Sequence, residues 1–371
     1  MHVCILVGTR PEAIKLAPLI LELKEQKGAH VDVVLSGQHP ELAARALKSF
    51  GVQADQILNV LIPGQSLASL TAKCLTAIDA LLVSTKPDAL VVQGDTTTAM
   101  AGALAAFYVG VPCLHVEAGL RTGDIFNPFP EEANRQIIAR LAAFHYAPTV
   151  RSKENLVREG VRPRDILVTG NTVVDAVRLQ DSTWLDERDP AEALPAGDAH
   201  VLVTMHRREN HDALESLYDA IYSVARQRPD VIVTLVAHPN PRVRDALAGM
   251  RAQPLNVMVT EPMDYVPFLR KLQTSTLVIT DSGGVQEEAA SMGVPVFVLR
   301  SLTERTEGVD AGAAEVIGID PRQIEDRILS VLGADRVRTM SSNPYGDGYA
   351  AQRISEHLMA MLGEGRCESE L

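Results

Sequence analysis

The chain has 371 residues, 46% of them hydrophobic and only 4% aromatic, and a formal charge of −12. That length is too great for one ordinary core and suits two α/β domains, rich in Ala, Leu and Val as helices on parallel sheets require. The negative balance excludes nucleic acid or an anionic membrane as the main partner, so an anionic substrate needs a local basic lining. Arg10, Lys15, Arg121, Arg207 and Arg208 are the candidates for it.

Strand-like runs near 2–7, 31–35, 89–93, 112–116, 144–147 and 166–168 alternate with helical patterns near 11–26, 40–50, 66–84, 96–108, 131–142, 151–159 and 172–180. This alternation predicts a parallel sheet with helices on both faces. The apolar start Val3–Val7 runs at once into Gly8-Thr-Arg-Pro, which is no signal-peptide pattern. Ala99–Leu114 is uncharged over 16 residues, but Gly110 and Pro112 break it, and it is short for a membrane span. It reads as a buried helix leading into a buried strand. Cys4, Cys74, Cys113 and Cys367 form no C-x-x-C pair. Reduced thiols in a soluble cytoplasmic protein are expected. A polar stretch with Pro190, Pro195 and Gly197 reads as a linker over 186–198. A second alternating series follows, with strands near 200–205, 231–236, 256–259, 276–280, 295–299 and 315–318, and a last helix near 349–363. Two doubly wound domains are expected, 1–170 rejoined by 352–371, and 171–351, with a cleft between them at their strand C-termini.

The segments at those strand ends carry the chemistry. Gly8-Thr-Arg-Pro opens a helix after the first strand, with Arg10 and Lys15 placed to clamp a phosphate. Gln93-Gly-Asp95 and His115-Val-Glu117 each set an acid just past a buried strand. Neighbouring parallel strands end together, so the two acids should approach and divide acid and base roles. Glu131 opens a helix after a proline-containing loop, and acids in a first turn are commonly dipole partners. His206-Arg-Arg208 ends the first strand of the second domain, where the arginines can hold a diphosphate. His238 ends another strand. Thr276–Thr280 is a buried-strand run followed by Asp281-Ser-Gly-Gly284 and Glu287-Glu288. Asp281 and Ser282 can cap a helix whose N–H groups seat a phosphate, and Gly283 and Gly284 keep Cβ atoms out of the way. Glu287 and Glu288 lie one turn inside, where a carboxylate can accept from ribose hydroxyls. No G-x-G-x-x-G, G-x-x-x-x-G-K-[ST] or H-E-x-x-H pattern occurs, so neither nicotinamide nor metal is expected.

Taken together, the segments 8–15, 93–98, 115–123, 130–135, 169–173, 206–210, 281–289 and 343–348 resemble the bacterial non-hydrolysing UDP-N-acetylglucosamine 2-epimerase family. The resemblance runs nearly end to end. It implies a GT-B-like fold of two Rossmann-type domains, a C-terminal helix crossing back to the first, a UDP-sugar substrate and a homodimer. By motif position, the family's catalytic group falls on Asp95, Glu117, Glu131 and His206. Its nucleotide contacts fall on Arg10, the Ser282-Gly283-Gly284 turn and Glu288. The chain departs from the family pattern at Pro40, Thr306 and Gly308, and at His211-Asp-Ala, where the family has a Gly-containing loop. The first departure lies where the family's activating second UDP-N-acetylglucosamine binds, which puts such activation in doubt here.

The inventory fits inversion at C2 without a cofactor. Expelling UDP from C1 acidifies C2–H, a carboxylate removes it, and the glycal is reprotonated from the other face as UDP returns. A UDP-sugar glycosyltransferase shares the fold but would need an acceptor groove and not three carboxylates. A hydrolysing epimerase would release UDP and N-acetylmannosamine. A silent nucleotide-sugar sensor would have no use for the acids and His206.

Overall fold

A computed structural model describes residues 1–62, 64–184, 199–250, 252–333 and 343–368. The expected linker over 186–198 lies outside the described residues. Contacts divide the chain into two units, Met1–Ser182 with Tyr345–Leu371, and Thr183–Pro344.

The first unit follows the predicted alternation. Its elements begin β1 (His2–Val7), α1 (Arg10–Glu25), β2 (His30–Leu35), α2 (Pro40–Lys48), β3 (Gln56–Ile57), α3 (Leu67–Thr85), β4 (Ala89–Gln93) and α4 (Thr97–Val109). Then come β5 (Cys113–Val116), α5 (Glu131–Leu141), β6 (Phe144–Ala147), α6 (Val150–Arg158), β7 (Ile166–Val168) and α7 (Thr172–Trp184). The strands form a seven-stranded sheet in the order β3-β2-β1-β4-β5-β6-β7, and every pairing is parallel. β3 has no counterpart in the sequence reading, because two exposed residues leave no periodic signal.

The apolar stretch at 99–114 divides as its glycine and proline demand. α4 ends at Gly110 in the left-handed region (φ 75°), and β5 starts at Cys113. Ala99, Ala101, Ala103, Ala105 and Ala106 of α4 are buried. A Cβ on Gly102 would meet Leu6 Cδ2 at 2.6 Å, so the glycine lets the helix lie against the sheet without moving that side chain.

The last helix, named here ahead of the second unit's for its place in the first, is α14 (Ala350–Glu368), and it packs on α1. Its first turn is fastened from α7. The buried Asp175 carboxylate accepts from Ala350 N (3.2 Å) and Ala351 N (2.8 Å), and Arg178 donates to Gly348 O at 2.8 Å. Residues 171–182 and 345–351, assigned by sequence to the second domain, group by contacts with the first unit, within which these bonds lie.

The second unit runs β8 (Ala199–Thr204), α8 (Leu214–Gln227), β9 (Val231–Val236), α9 (Pro241–Gly249), β10 (Val257–Thr260), α10 (Tyr265–Gln273) and β11 (Leu277–Thr280). It continues α11 (Gly283–Ser291), β12 (Val296–Val298), α12 (Thr306–Asp310), β13 (Ala314–Val316) and α13 (Pro321–Leu332). The parallel sheet has the order β10-β9-β8-β11-β12-β13. Its core interleaves Val201, Val203, Leu217, Ile221, Val233 and Ile279. Both sheets are doubly wound, and together they make the GT-B-like pair of Rossmann-type units that the sequence implies.

In a doubly wound sheet the strand order reverses at one place, and the crevice beyond the strand C-termini there is where ligands bind. The reversal lies between β1 and β4 in the first unit and between β8 and β11 in the second.

Candidate active site

In the first unit, the loops after β1, β4 and β5 meet in one hydrogen-bonded cluster. Glu117 follows β5 directly and is buried. Its φ of +61° lies in the left-handed region, which costs a non-glycine residue on the order of 1–3 kcal/mol. Surrounding contacts hold it there. Lys15 Nζ of α1 donates to both carboxylate oxygens, at 2.7 and 2.8 Å, and Gln93 Nε2 at the end of β4 donates to one of them. Lys15, expected on a phosphate, is therefore placed on Glu117 and buried.

Asp95 has its own cation. Arg135 Nε and Nη2 of α5 lie 2.9 and 2.8 Å from Asp95 Oδ2, and Asn134 Nδ2 donates to the Asp95 carbonyl at 2.8 Å. Arg135 Nη1 also reaches the buried Glu132 at 2.8 Å. Each of the two carboxylates expected to approach one another is thus matched by a buried cation, Lys15 for Glu117 and Arg135 for Asp95. Glu131, half-buried, is the first residue of α5, the helix that Asn134 and Arg135 anchor to the β4 loop. Asp95, Glu117 and Glu131 are so fixed to one end of one sheet. Arg10 is the first residue of α1, with Pro11 second and Thr9 as its cap. Arg121 is engaged elsewhere, its Nε and Nη2 each 2.7 Å from Glu159 oxygens.

Glu12 was missed by the sequence reading. Buried in the first turn of α1, it accepts from Thr9 N (2.6 Å), Gly8 N (3.2 Å) and Thr96 Oγ1 (2.8 Å), tying the β1 loop to the β4 loop. Desolvation pushes its pKa from 4.5 up to about 7, with the hydroxyl and amide donors pulling the other way. The Thr9-x-x-Glu12 spacing is a capping-box signal that would have found it.

In the second unit, His206 follows β8 and Ser282 follows β11, so they flank the reversal point. Asp281, expected as a helix cap, instead organises the His206 loop. Wholly buried, it accepts from His206 N (3.0 Å), Arg207 N (2.9 Å) and Asn210 Nδ2 (3.0 Å). The His206 ring remains partly exposed, with Nδ1 3.4 Å from Asp281 Oδ1. It stacks on the exposed His238 at 4.9 Å. Desolvation lowers the His206 pKa below 6.5, Asp281 opposes this, and Arg207 and His211 reinforce it.

Ser282 caps α11 by backbone position alone, its side chain making no cap bond. The two glycines differ. A Cβ on Gly283 would fall 2.4 Å from Arg305 Cζ, so that side is filled by a guanidinium, whereas Gly284 faces open space. Arg305 Nε in turn donates to the buried Glu287 at 3.0 Å, which makes Glu287 structural. Glu288, buried on the next position, is left as the ribose candidate.

A family model described as UDP-N-acetylglucosamine 2-epimerase matches residues 21–359. The chain belongs to that family. It is 42% identical over 367 residues to the UDP-N-acetylglucosamine 2-epimerase of Bacillus subtilis, covering 98% of this chain and 96% of the relative. A probable UDP-N-acetylglucosamine 2-epimerase of Ralstonia nicotianae is 43% identical over 370 residues, covering 96% and 98%. The crystal structure of the Neisseria meningitidis UDP-GlcNAc 2-epimerase bound to UDP-GlcNAc superposes with a TM-score of 0.93 at 37% identity, over 97% of this chain and all of that one. Within this epimerase, the two departures at Pro40 and Thr306 are both first residues of helices, α2 and α12.

Proposed function

We propose that the chain interconverts UDP-N-acetylglucosamine and UDP-N-acetylmannosamine by eliminating UDP and adding it back. The observation that supports this reading is that Arg10 and Asp95 in the first unit, and His206 and Ser282 in the second, flank the strand-order reversals of the two sheets, with Glu117 after the neighbouring β5. Arg10 follows β1 and Asp95 follows β4 in the first unit; His206 follows β8 and Ser282 follows β11 in the second. The first unit supplies the carboxylates. The second supplies Arg207, His238, the N–H groups of Ser282, Gly283 and Gly284, and Glu288 for the ribose.

In the forward direction the C1–O bond breaks and its electron pair leaves with the UDP β-phosphate oxygen. A carboxylate takes the C2 proton, and that C–H pair becomes the C1=C2 bond of the glycal. The return step protonates C2 from the opposite face as UDP re-forms the C1–O bond. Asp95, Glu117 and Glu131 divide the acid and base roles. Arg10 and Arg207 take up the charge developing on the diphosphate, an electrostatic contribution made where charge appears. His206, held below its ordinary pKa, can carry a proton to or from the leaving oxygen.

In deuterated water, recovered substrate and product should both carry deuterium at C2, with no added nicotinamide. Retained protium at C2 would sink the elimination route. Stoichiometric free UDP would point to hydrolysis or transfer.

The chain also pairs with a second copy of itself in this reading. α3 is long and apolar enough by composition to cross a membrane, yet only 28% of that window is buried. Its inner face, Leu70, Cys74, Ile78 and Leu82, belongs to the core beside α4. Its outer stripe, Ala68, Ala72, Thr76, Ala80 and Val83, is exposed, as are Phe107 and Tyr108 on α4. A second copy covering this face would make an isologous dimer. Light scattering on Val83→Asp and Tyr108→Asp should give the mass of a monomer, and a mass unchanged from the parent chain would remove this face from the interface.

A further inference from the structure

A second polar cluster lies at the opposite end of the first sheet from the acids. His2 and His30 are register partners on β1 and β2, and Asp32 stands two residues beyond His30. Side chains alternate along a strand, so all three project from one face. His2 Nε2 lies 2.7 Å from Asp32 Oδ2, and His30 Nε2 lies 3.2 Å from Asp32 Oδ1. The two imidazoles are 4.8 Å apart between ring centres. One ligand atom from each of the three falls within 4.8 Å of the others.

We propose that His2, His30 and Asp32 form a binding site for a divalent transition-metal ion of the zinc type. Ligand atoms on tetrahedral zinc stand about 3.4 Å apart at bond lengths of about 2.0–2.2 Å. The present separations need only small rotamer changes to match. Two imidazole nitrogens and one carboxylate oxygen select Zn2+, Co2+ or Ni2+ over Mg2+ and Ca2+, which take oxygen ligands. The His30 side chain is 70% exposed, and those of His2 and Asp32 about a quarter, so an ion can enter and keep solvent in its remaining position.

The backbone beneath is already fixed. His2 N donates to Asp88 Oδ2 at 2.7 Å, so the first ligand is held from the β4 side as well. A bound ion would link β1 to β2 where both strands begin. Asp95 and Glu117 follow the opposite ends of the parallel strands β4 and β5, and β1 spans the same sheet over five residues, about 17 Å at strand rise. The site is therefore structural in placement, and its loading should leave turnover unchanged.

The test uses the full chain, freed of any affinity tag, titrated with Zn2+ by calorimetry and with Co2+ by visible absorption. One site should be present in the parent chain and in His238→Ala, which controls for the stacked pair in the second unit. It should weaken at least tenfold in His30→Ala and in Asp32→Asn, both with unchanged epimerase rates. Zinc should raise the melting temperature of the parent chain and not of these two variants. Equal binding by parent and His30→Ala, loss only in His238→Ala, or no binding at all would each overturn the proposal.

Discussion

The two units hold their functional groups by different physics. In the first, Glu117 and Asp95 are locked by buried cations, Lys15 and Arg135, on side chains from α1 and α5. In the second, the His206 backbone is locked by Asp281 while the ring stays partly exposed against His238. A buried ion pair costs several kcal/mol per ion in desolvation and is recovered only with good geometry, so breaking one partner leaves an uncompensated charge. The carboxylates are thus rigid, and any change there is felt by fold and chemistry together. The imidazole is anchored at its root and adjustable at its tip.

The largest effect should come from Glu117→Gln. Losing a positioned acid–base group is expected to lower kcat by about 10²–10⁴-fold. UDP affinity should stay within a few-fold, because none of the proposed nucleotide contacts, Arg10, the Ser282-Gly283-Gly284 turn and Glu288, is Glu117 itself. The same substitution leaves Lys15 buried without its charge partner, an effect of about 3–5 kcal/mol on stability by precedent. Steady-state rates, UDP calorimetry and thermal melts on this variant separate the three quantities. Lost UDP affinity with intact kcat would reverse the assignment.

Asp281→Ala comes next and probes the other style of anchoring. It removes the acceptor for three donors, each hydrogen bond worth about 0.5–1.5 kcal/mol net. The expected outcome is a lower melting temperature and a kcat reduced by misplacing His206, whereas His238→Ala, which removes the stacked ring and the acceptor of Asn240 N but leaves the His206 backbone anchored, should change kcat far less. If both variants behave alike, the loop is not held as described.

A smaller effect is expected at Glu288, motivated by its place one turn inside α11. Glu288→Ala should weaken UDP binding by the worth of one or two hydrogen bonds, about 0.5–1.5 kcal/mol each, with kcat at saturating substrate near that of the parent chain. Calorimetry with UDP decides it.

The smallest and most specific effect concerns pH. Glu12 is shifted upward by folding, from 4.5 to about 7, so between those values the folded chain binds more protons than the unfolded one. The contribution of Glu12 to stability must then fall as pH rises through that window, the reverse of an ion-paired acid. Asp175 acts in the same direction, raised by desolvation from 3.8 to about 6. The buried His115 and His145, lowered to about 3 and 4, act in the opposite sense below pH 6.5, so the expectation is a difference: from pH 5 to 8 the melting temperature of the parent chain should fall relative to that of Glu12→Gln, at roughly 2–4 °C per kcal/mol. An identical slope in the variant would mean that Glu12 does not titrate there.

Much of this was legible without coordinates, because strands of a doubly wound sheet are apolar runs and their ends are marked by glycine, proline and acids. Asp95, Glu117 and His206 stand out on those grounds. What was hidden is who holds them. Lys15 and Glu117 are 102 residues apart, and Asp281 and His206 are 75 apart, and no local pattern announces such partners. The same blindness sent Lys15 to the phosphate and Asp281 to a helix cap, since each residue type has a plausible local use. Gly283 shows a subtler limit. Its missing Cβ was read as room for a ligand, but the space is taken by Arg305, 22 positions later in the chain.

The return of α14 to α1 has a consequence for the order in which the protein is made. The first unit leaves the ribosome first, yet the amides that satisfy its buried Asp175 belong to Ala350 and Ala351. Its sheet can form early, but the α7 carboxylate and the outer side of α1 must wait for the entire second unit to be synthesised. The unit that starts first therefore finishes last.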